Sequence, residues 1–555
     1  VITMNLIKNA DGFSIEKNNV GFDFKTAKIP TKENGFFVLM TSGDIPVPEI
    51  RARDRLLLPV DEGIAITADE EYEKGQFDCE CISRNFCSRE GTMGMIVVER
   101  AKKFLLIALE NTPYASYEAK RIDGLYRLSM RVGKPSLISY AVFDSLKDAC
   151  KAYRSLKKDT FVPLFEKIKN NHEIEKLAQG AVFWIWSDNY DKVMYSPKDT
   201  DMSVSLGEEL LKTADLLYKS GIRNAMIGIF FESDSKYTKQ LYEKYGYICT
   251  QYDNYNDVLN PELLKIIPNN RVKRCDYTFR RMKDYPDGVQ INSDGNRADA
   301  WALKGFDGKM HAQNTLCPLV AKKRMTEEIP QILLQYPYYK GRFVDVYGGN
   351  LAECFSKKHS LTKEECLKMK NEAFFEIGKM GLITGTEDGF EDIINNLVYT
   401  EGMHSPVYFR IDDAGRKHAH MLDSHDTAHT KKHMLNPRCR VPLWHLVYHE
   451  CMLTFPYWGD STESSLELTK DKILFACLYG CPPLYSFFLK DFDTLFESIT
   501  ESYKKITEIT GKTAGQPMTD FEILTDDYMV QRSTFGDKYR ITVNFSDGNL
   551  KFEEI

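Results

Sequence analysis

The sequence lacks the features that mark several large classes of protein. Its 555 residues contain no apolar stretch of about eighteen residues, so we expect no membrane-spanning helix. There is no dense run of Lys or Arg, and the net charge of -7 disfavours nucleic acid or an anionic membrane as the main partner. The first residues show no basic segment followed by an apolar core, so we expect no secretory signal and predict a cytoplasmic protein.

Motifs of common catalytic and cofactor-binding sites are also missing. There is no Gly-x-Ser-x-Gly elbow for a serine nucleophile, and no glycine-rich phosphate loop follows a predicted strand. The 13 cysteines have no framework of spacings. Cys79 with Cys81, and Cys477 with Cys481, are the closest pairs, and neither has a second pair to complete a zinc site. We therefore expect reduced cysteines and no required cofactor.

What is present is the composition of an ordinary globular protein with a large core. Hydrophobic residues make up 43% of the chain and charged residues 28%. The 30 Tyr, 32 Phe and 5 Trp suit a large core, and they also suit a pocket that stacks rings on the apolar faces of sugars. The length allows roughly two to four domains, or one large barrel with appendages.

The order of predicted strands and helices divides the chain into four regions. Residues 1–143 contain short β-rich segments separated by Gly, Asp, Asn and Pro, which predicts an N-terminal β-sandwich. Residues 144–177 have helical spacing and are predicted to form a linker. Residues 178–511 alternate strands with helices, which predicts a parallel sheet covered by helices. Residues 512–555 are predicted to form antiparallel strands of a short C-terminal β-domain.

Seven strands are predicted in the region of alternating strands and helices, and a long irregular stretch interrupts them. The stretch covers residues 260–337 and is rich in Gly, Asn, Asp and Pro, so we expect a lid or pocket wall there. The predicted strands are 181–186, 224–231, 247–252, 341–345, 381–387, 406–411 and 441–448.

Two apolar runs that each end on a carboxylate indicate the chemistry. One run ends at Asp345 and the other at Glu387, with a helical stretch between them. A strand, a crossover helix and a second strand form a right-handed parallel unit, so both strands end on the same side of the sheet. Two acids delivered there are what cleavage of a glycosidic bond requires. The alternative is that each acid caps the helix that follows its strand.

Further polar and aromatic residues are predicted to bind substrate at the same edge of the sheet. The run from Tyr252 to Asp257 follows the third strand, where a carboxylate can accept from two vicinal hydroxyls, although a simple turn is the alternative. Polar residues at the end of an apolar strand, or beside a Trp at a pocket edge, suit the same role. Plain packing of a partly buried Trp is the alternative. The candidates are Asp253, Asn254, Asp257, Trp186, His449, Glu450, Trp458 and Asp460.

A concentration of histidines supports two rival interpretations. Eight of the 11 histidines lie between His404 and His449. His418-Ala-His420, with His425 and Asp426 close behind, resembles a divalent-metal site, so a metal-dependent hydrolase is one alternative. However, residues 412–437 look like an exposed insertion, whereas metal-binding histidines are normally fixed on rigid elements. We therefore assign no metal ligand. A non-catalytic glycan-binding barrel is the other alternative.

Taken together, these segments resemble glycoside hydrolase family 129 and, more distantly, family 101. Members of these families are α-N-acetylgalactosaminidases with a β-sandwich, a catalytic (β/α)8 TIM-like barrel and a C-terminal β-domain. The resemblance implies that Asp345 is the nucleophile, that Glu387 is the general acid/base and that Asp253 binds the sugar in the −1 position. It is carried by residues 55–63, 252–255, 343–348, 381–387, 441–449, 458–460, 530–535 and 543–545.

The chain also departs from the family pattern in two places. The interval between Asp345 and Glu387 looks longer than usual, through residues 356–372. The aromatic residue that follows the acid in family 101 is missing, which leaves Glu391 as a competitor for the acid role.

The resemblance implies a retaining exo-α-glycosidase that acts on a glycan or glycopeptide. The sugar it removes would be a terminal α-linked N-acetylgalactosamine or galactose. A calcium ion at the pocket edge is compatible with this chemistry. Retention predicts carboxyl groups roughly 5–5.5 Å apart, and inversion about 6.5–9.5 Å.

Overall fold

The computed structural model describes residues 4–72, 77–157, 162–167, 171–188, 207–267, 280–410 and 424–555. The N-terminal region forms two antiparallel sheets, as its alternating pattern predicts. Strands β1 to β3 make a three-stranded sheet, and β4 to β12 make a nine-stranded one. The strands are β1 Asn5–Asn9, β2 Gly12–Lys17, β3 Val20–Phe24, β4 Thr31–Glu33, β5 Phe36–Ile45, β6 Arg55–Leu58, β7 Ile64–Thr67, β8 Cys81–Asn85, β9 Met95–Arg100, β10 Lys103–Leu109, β11 Ala115–Ile122 and β12 Leu125–Phe143.

The two N-terminal sheets share one apolar core. The rings of Phe13 and Phe24 in the smaller sheet stack with their centroids 4.6 Å apart. Phe24 also meets Tyr140 of β12 edge-on at 5.6 Å. Helix α1 (Leu146–Leu156) follows β12 and buries Ala149 and Tyr153, which are four residues apart and therefore lie on one face. The chain then passes through α2 (Glu173–Ala178) into the first strand of the next sheet.

The central region is a nearly closed barrel of eight parallel strands. Its hydrogen-bonded order is β22-β21-β20-β19-β15-β14-β13-β23, so the first and eighth strands pair and the only open seam lies between the seventh and eighth. In chain order the strands of this region are β13 Ala181–Trp186, β14 Ala225–Ile229, β15 Ile248–Asp253, β16 Asp257–Val258, β17 Asp299–Lys304, β18 Met310–Thr315, β19 Tyr339–Val344, β20 Ile383–Glu387, β21 Tyr399–Glu401, β22 Leu453–Phe455 and β23 Leu484–Phe488. Strands β16 to β18 form a separate small sheet.

Helices cover the outside of the barrel. They are α3 Gly207–Lys219, α4 Thr238–Tyr245, α5 Pro318–Gln335, α6 Lys363–Lys379, α7 Ser424–Lys432, α8 Leu443–Tyr448, α9 Thr469–Tyr479 and α10 Phe492–Thr513. Helix α6 begins with a capping box, in which Thr362 and Glu365 exchange hydrogen bonds between side chain and backbone. Within the described residues, no helix combines the length and apolar character that a membrane crossing requires.

Three sequence-based assignments in the barrel region are wrong. Residues 441–448 were expected as a strand, but Leu443–Tyr448 is a helix, and the seventh barrel strand is Leu453–Phe455. A short, fully buried apolar run has no periodicity that separates strand from helix. Residues 406–411 were also expected as a strand, but their described part, 406–410, forms none. The sixth strand is Tyr399–Glu401. The stretch expected to be irregular contains the helix Pro318–Gln335, which tolerates a proline in its interior.

The C-terminal region is a four-stranded antiparallel sheet, in agreement with the sequence pattern. Its strands are β24 Met518–Ile523, β25 Val530–Phe535, β26 Tyr539–Asn544 and β27 Asn549–Glu554, paired in chain order.

Glu391 joins the N-terminal region, the linker helix and the barrel. Its carboxylate accepts hydrogen bonds from the hydroxyls of Tyr153 on α1 and Tyr448 on α8, each at 2.7 Å. The backbone N–H of Gly94 donates to it at 2.9 Å, and Lys157 Nζ lies 3.3 Å away. The side chain is buried, so this one carboxylate holds donors from three parts of the chain together.

Replacing Glu391 with Ala should therefore destabilise the fold. The change removes the acceptor of several buried donors, and we expect the free energy of unfolding to fall by about 3–5 kcal/mol. Denaturant unfolding followed by circular dichroism measures this. The matched control is Glu376→Ala on α6, whose partner is the neighbouring Lys379 at the surface, and it should change stability by less than about 0.5 kcal/mol. Equal effects of the two changes would contradict the assigned role.

Candidate active site

Parallel pairing of β19 with β20 brings Asp345 and Glu387 to the same level. Val344 pairs with Thr386, and the two acids are the next residues along their strands. Side chains alternate between the two faces of a strand, and Phe343 belongs to the aromatic cluster inside the barrel. Asp345 therefore also faces the interior, at the end where the strands terminate. The two acids lie at the carboxyl-terminal mouth of the barrel, where barrel enzymes have their active sites.

The two carboxyl groups are buried and interact directly. Asp345 is 7% exposed and Glu387 is 8% exposed. Burial and the charge of Glu387 raise the pKa of Asp345 well above its usual range. Burial, together with the charge of Asp388, raises the pKa of Glu387 to about 7. The two groups are close enough to hydrogen-bond when one is protonated, so near neutral pH the pair holds one proton.

Asp345 is the member of the pair that receives hydrogen bonds from protein donors. The Tyr252 hydroxyl donates to Oδ2 at 2.5 Å, and Asn254 Nδ2 donates to the same oxygen at 3.4 Å. In the described part of the chain, no N–H or O–H group donates to Oδ1 of Asp345. Hydrogen bonds to the ionised form stabilise it, so the negative charge of the pair is favoured on Asp345 and the proton on Glu387.

Charged residues that the sequence did not reveal surround Glu387. Arg89, from the N-terminal region, donates to Asp388 Oδ2 at 3.2 Å, and its charge lowers the pKa of Glu387. Arg410 acts in the same direction, and its guanidinium lies over the ring of Tyr457 at 4.2 Å. Arg410 is almost fully buried, and its Nε and Nη2 have no hydrogen-bond partner among the described residues. No local pattern marks these residues, because their contacts are with other segments of the chain; Arg89 and Asp388 are 299 positions apart.

Glu401 is a third carboxyl group at this end of the barrel that the sequence did not reveal. It pairs with Glu387 in the register of β20 and β21. Trp184 Nε1 donates to Glu401 Oε2 at 2.9 Å. Burial, and then the charge of Glu387, raise the pKa of Glu401 well above its usual range. Glu401 is therefore favoured as a neutral group near neutral pH, which limits the negative charge beside the pair.

Trp186 and Trp458 lie in the aromatic cluster beside the acids. Trp458 meets Trp184 and Trp186 edge-on, with ring centroids 6.0 and 6.4 Å apart. Its ring is 6.2 Å from that of Tyr252, the residue that donates to Asp345. The indole N–H of Trp458 has no hydrogen-bond partner in the described part of the chain, whereas that of Trp186 donates to Ser486. Both rings are buried within this cluster, Trp186 being 3% exposed and Trp458 7%.

Asn254 and Asp257 also lie beside Asp345, but they are organised as a turn. Asn254 Oδ1 accepts from the backbone N–H groups of Asn256 and Asp257, and its Nδ2 donates to Asp257 Oδ2 at 2.9 Å. The turn fixes Asn254 against Asp345, and the negative charge of Asp257 contributes to the raised pKa of Asp345. The contacts of Asn254 indicate that it positions the carboxylate of Asp345.

Asp253 does not occupy the position that we expected from the resemblance. It is fully buried, and its carboxylate contacts the guanidinium groups of Arg342 and Arg281, the latter at 3.5 Å. These charges lower its pKa against the effect of burial. The cause is strand alternation: Tyr252 faces the barrel interior, so Asp253 points to the opposite face of the sheet. Its contacts indicate a structural ion pair instead of a sugar ligand.

His449 and Glu450 lie at the wrong end of the barrel for substrate binding. They precede the seventh strand, Leu453–Phe455, whereas the two acids follow theirs. His449 contacts the backbone oxygens of Gln516 at 2.7 Å and Gly480 at 3.3 Å. Glu450 forms an ion pair with Arg154 of the linker helix. The expected binding role of these two residues is therefore wrong. It depended on a predicted strand in the segment that forms helix α8.

Asp460 is enclosed in a polar network near the barrel mouth. Ser405 Oγ donates to its Oδ2 at 2.8 Å, and Lys472 Nζ donates to its Oδ1 at 2.8 Å. Lys472 is itself buried and donates to Ser464 Oγ as well. Both carboxylate oxygens of Asp460 thus have protein partners, and the geometry favours a structural role over the expected contact with a sugar hydroxyl.

The described histidines of the 404–449 stretch have ordinary partners. His404 Nδ1 and His445 Nε2 contact Glu62 Oε2 at 2.8 and 3.2 Å. Glu62, His404 and Cys481 could in principle hold an ion, but the Arg440 guanidinium already pairs with Glu62 there. His418 and His420, and the side chains of His425 and Asp426, lie outside the described residues.

The histidine-rich stretch is less exposed than we expected. In the part that the structure describes, His429, Thr430 and His433 are buried. The expectation of an exposed insertion over residues 412–437 is therefore wrong for these buried residues. Lys431 and Lys432 are exposed, whereas His429 and His433 on either side of them are buried.

Glu391 is not placed as a competitor for the acid role. Its carboxylate accepts from Tyr153, Tyr448 and Gly94, as the fold requires. It lies in the short 3₁₀ helix Glu391–Asn396, beyond the end of β20.

Comparison with known proteins agrees with this geometry. The family model described as glycosyl hydrolases related to the GH101 family, GH129, matches residues 217–424 and 423–534, more than half of the chain. No curated protein sequence matches the chain.

Solved structures show the same fold. The ligand-free α-N-acetylgalactosaminidase NagBb from Bifidobacterium bifidum superposes with a TM-score of 0.70 at 17% identity, covering 99% of this chain and 92% of that one. Its GalNAc complex gives 0.68 at 16% identity, covering 100% and 91%. The GH36 α-galactosidase AgaB from Geobacillus stearothermophilus gives 0.50 at 11% identity, covering 88% and 66%. The resemblance seen in the sequence is thus confirmed: the chain belongs to glycoside hydrolase family 129 and is a glycoside hydrolase.

Proposed function

We propose that the protein is a retaining exo-α-glycosidase that removes a terminal α-linked N-acetylgalactosamine from a glycan or glycopeptide. The observation that carries this proposal is the direct interaction of two buried carboxyl groups, Asp345 and Glu387, at the mouth of the barrel. The choice of sugar rests on the family and on the fold shared with NagBb. Galactose is the sugar that a test must distinguish from it.

In the first step Asp345 attacks the anomeric carbon of the sugar. Tyr252 and Asn254 hold its Oδ2, which leaves Oδ1 free of protein donors and available for the attack. Glu387 gives its proton to the departing glycosidic oxygen, so the bond to the aglycone breaks as the bond to Asp345 forms. The pKa of Glu387, raised to about 7 by burial and by Asp388, keeps that proton available at neutral pH.

In the second step Glu387, now ionised, removes a proton from water. The resulting nucleophile attacks the anomeric carbon and releases Asp345, so two inversions give overall retention. The closeness of the two carboxyl groups supports this course over inversion, because an inverting pair must leave room for a water between carboxyls about 6.5–9.5 Å apart. The steps use side chains alone and require no organic cofactor or metal.

The nucleophile assignment is tested with Asp345→Asn. We expect turnover of an α-N-acetylgalactosaminide to fall by on the order of 10⁴-fold or more, since an amide cannot form the covalent intermediate. Stability should not fall, because the change relieves repulsion between buried carboxyl groups. Asp287→Asn, which alters an exposed pair with Lys358, is the matched control and should keep full activity.

The same assay identifies the sugar and the stereochemistry. A panel of α- and β-linked nitrophenyl glycosides should show preference for α-N-acetylgalactosaminide over α-galactoside. Proton NMR during the first turnovers should show the α-anomer as the first product. An active Asp345→Asn variant, or initial release of the β-anomer, would contradict the mechanism.

The pH dependence of kcat/KM tests the acid. Activity should decline as the pH rises through about 7, because Glu387 loses the proton that it must donate. Asp388→Asn should move this decline to lower pH, since the charge of Asp388 raises the pKa of Glu387 and its removal also frees Arg89 to act on Glu387. Glu376→Gln, at the surface of α6, should leave the profile unchanged. A shift to higher pH in Asp388→Asn would rule out the assigned electrostatics.

A further inference from the structure

A second group of chemically reactive side chains lies outside the active site. Cys317, Cys354 and His359 are buried, and their sulfur and nitrogen atoms all lie within 4.8 Å of one another. Cys354 Sγ is 3.4 Å from His359 Nδ1. Ligands of a tetrahedral zinc ion, with Zn–S near 2.3 Å and Zn–N near 2.0–2.1 Å, are roughly 3.5–3.8 Å apart. The group therefore needs only a small contraction to match a zinc site.

The tautomer of His359 is set for metal binding. Its Nε2 lies 2.7 Å from the backbone oxygen of Asp287, which can only accept, so Nε2 carries the hydrogen. Nδ1 is then left with a lone pair directed at Cys354 Sγ. Metal-binding histidines characteristically donate their other N–H to a carbonyl or carboxylate, and this contact fixes both the ring and the tautomer.

Burial raises the pKa of the Cys317 thiol, and backbone N–H groups near the two sulfurs act in the opposite direction. The backbone N–H of Ile291 points at Cys354 Sγ, with the two atoms 3.5 Å apart. Cys317 is the residue directly before the 18-residue helix α5, whose N-terminal N–H groups favour an anion. Zinc requires thiolates, so both features suit the charged state that the metal would impose.

Rigid backbone pairing holds the three ligands in place. Cys354 and Leu361 exchange two backbone hydrogen bonds of 2.9 Å, which close a small loop that contains His359. Cys317 N donates to Gly288 O at 2.9 Å, and Phe355 N donates to Ile291 O at 2.8 Å. Three separate segments of the chain thus meet at one point, which preorganises the ligands.

We propose that Cys317, Cys354 and His359 bind one zinc ion, with water as the fourth ligand. Binding replaces the hydrogens of two thiols, so two protons leave as two Zn–S bonds form. In the metal-free state the Cys317 thiol donates to the backbone oxygen of His359 at 3.5 Å, and zinc binding gives up this contact.

Zinc binding would fix the loop that begins at Asp345. Cys354 and His359 both lie between Asp345 and helix α6. The ion would tie that loop to the start of helix α5 and would have no contact with the reacting atoms. Its role is to stabilise the pocket wall, independently of which sugar is cleaved.

The test is the metal content of the full-length protein, purified without an affinity tag and dialysed against metal-free buffer. Mass spectrometry of the elements should find about one zinc per chain. Cys354→Ser and His359→Ala should lose it, and both should melt at lower temperature. Two matched controls should retain it: Cys366→Ser, a buried cysteine outside the group, and His420→Ala in the histidine-rich stretch.

A second measurement covers the case in which a variant fails to fold. Wild-type protein stripped with a chelator and titrated with Co²⁺ should develop sulfur-to-cobalt charge-transfer absorption, which one equivalent of Zn²⁺ removes. Three results would overturn the proposal: no zinc and no cobalt absorption in the wild type, zinc that is lost in His420→Ala but not in Cys354→Ser, or a Cys317–Cys354 disulfide found by peptide mapping.

Discussion

The parallel register of β19 and β20 is the constraint on which the active site depends. Parallel strands present their carboxyl ends on one side of the barrel, and pairing of Val344 with Thr386 sets the next two residues side by side. A shift of one residue in either strand would turn one acid to the outer face of the sheet. Both faces of the sheet are buried, so a shift of β19 would also place Arg342 among the aromatic rings. The register is therefore strongly specified.

Burial then raises the pKa values of the two acids and couples them. Each carboxyl group lies in a medium of low polarity beside a like charge, so the pair keeps one proton that two solvated acids would lose. Tyr252 on β15 and Asn254 just after this strand donate hydrogen bonds to Asp345. These bonds favour the negative charge on Asp345 and the proton on Glu387. The neutral Glu401 on the other side of Glu387 adds no further charge. Four adjacent strands, β15, β19, β20 and β21, thus supply the two acids and the groups that set their charge.

The sequence predicts site residues that a pattern in their own segment marks. It misses residues that only a contact with a distant segment brings to the site. Asp345 and Glu387 could be predicted because each follows an apolar run, and the number of preceding strands places them on the fourth and fifth. Asp253 could not be placed correctly, since either it or Tyr252 can face the barrel, and composition does not say which. Helix Leu443–Tyr448 was taken for a strand because its residues are buried on all sides. Arg89 was missed because nothing within its own segment points to a barrel strand 299 residues away.

The N-terminal region contributes a charge that acts on the two acids at the barrel mouth. Arg89 reaches Asp388 and moderates the pKa of Glu387, so the acid is tuned by a charge that the barrel does not contain. This effect on the pKa requires a fixed distance between Arg89 and Glu387. The contacts of Glu391 and the buried ion pair of Glu62 with Arg440 fix it by joining the N-terminal region to the barrel region. Buried ion pairs are costly to separate once formed, because each partner would leave an uncompensated charge. The contacts that hold Arg89 beside Asp388 are therefore costly to break.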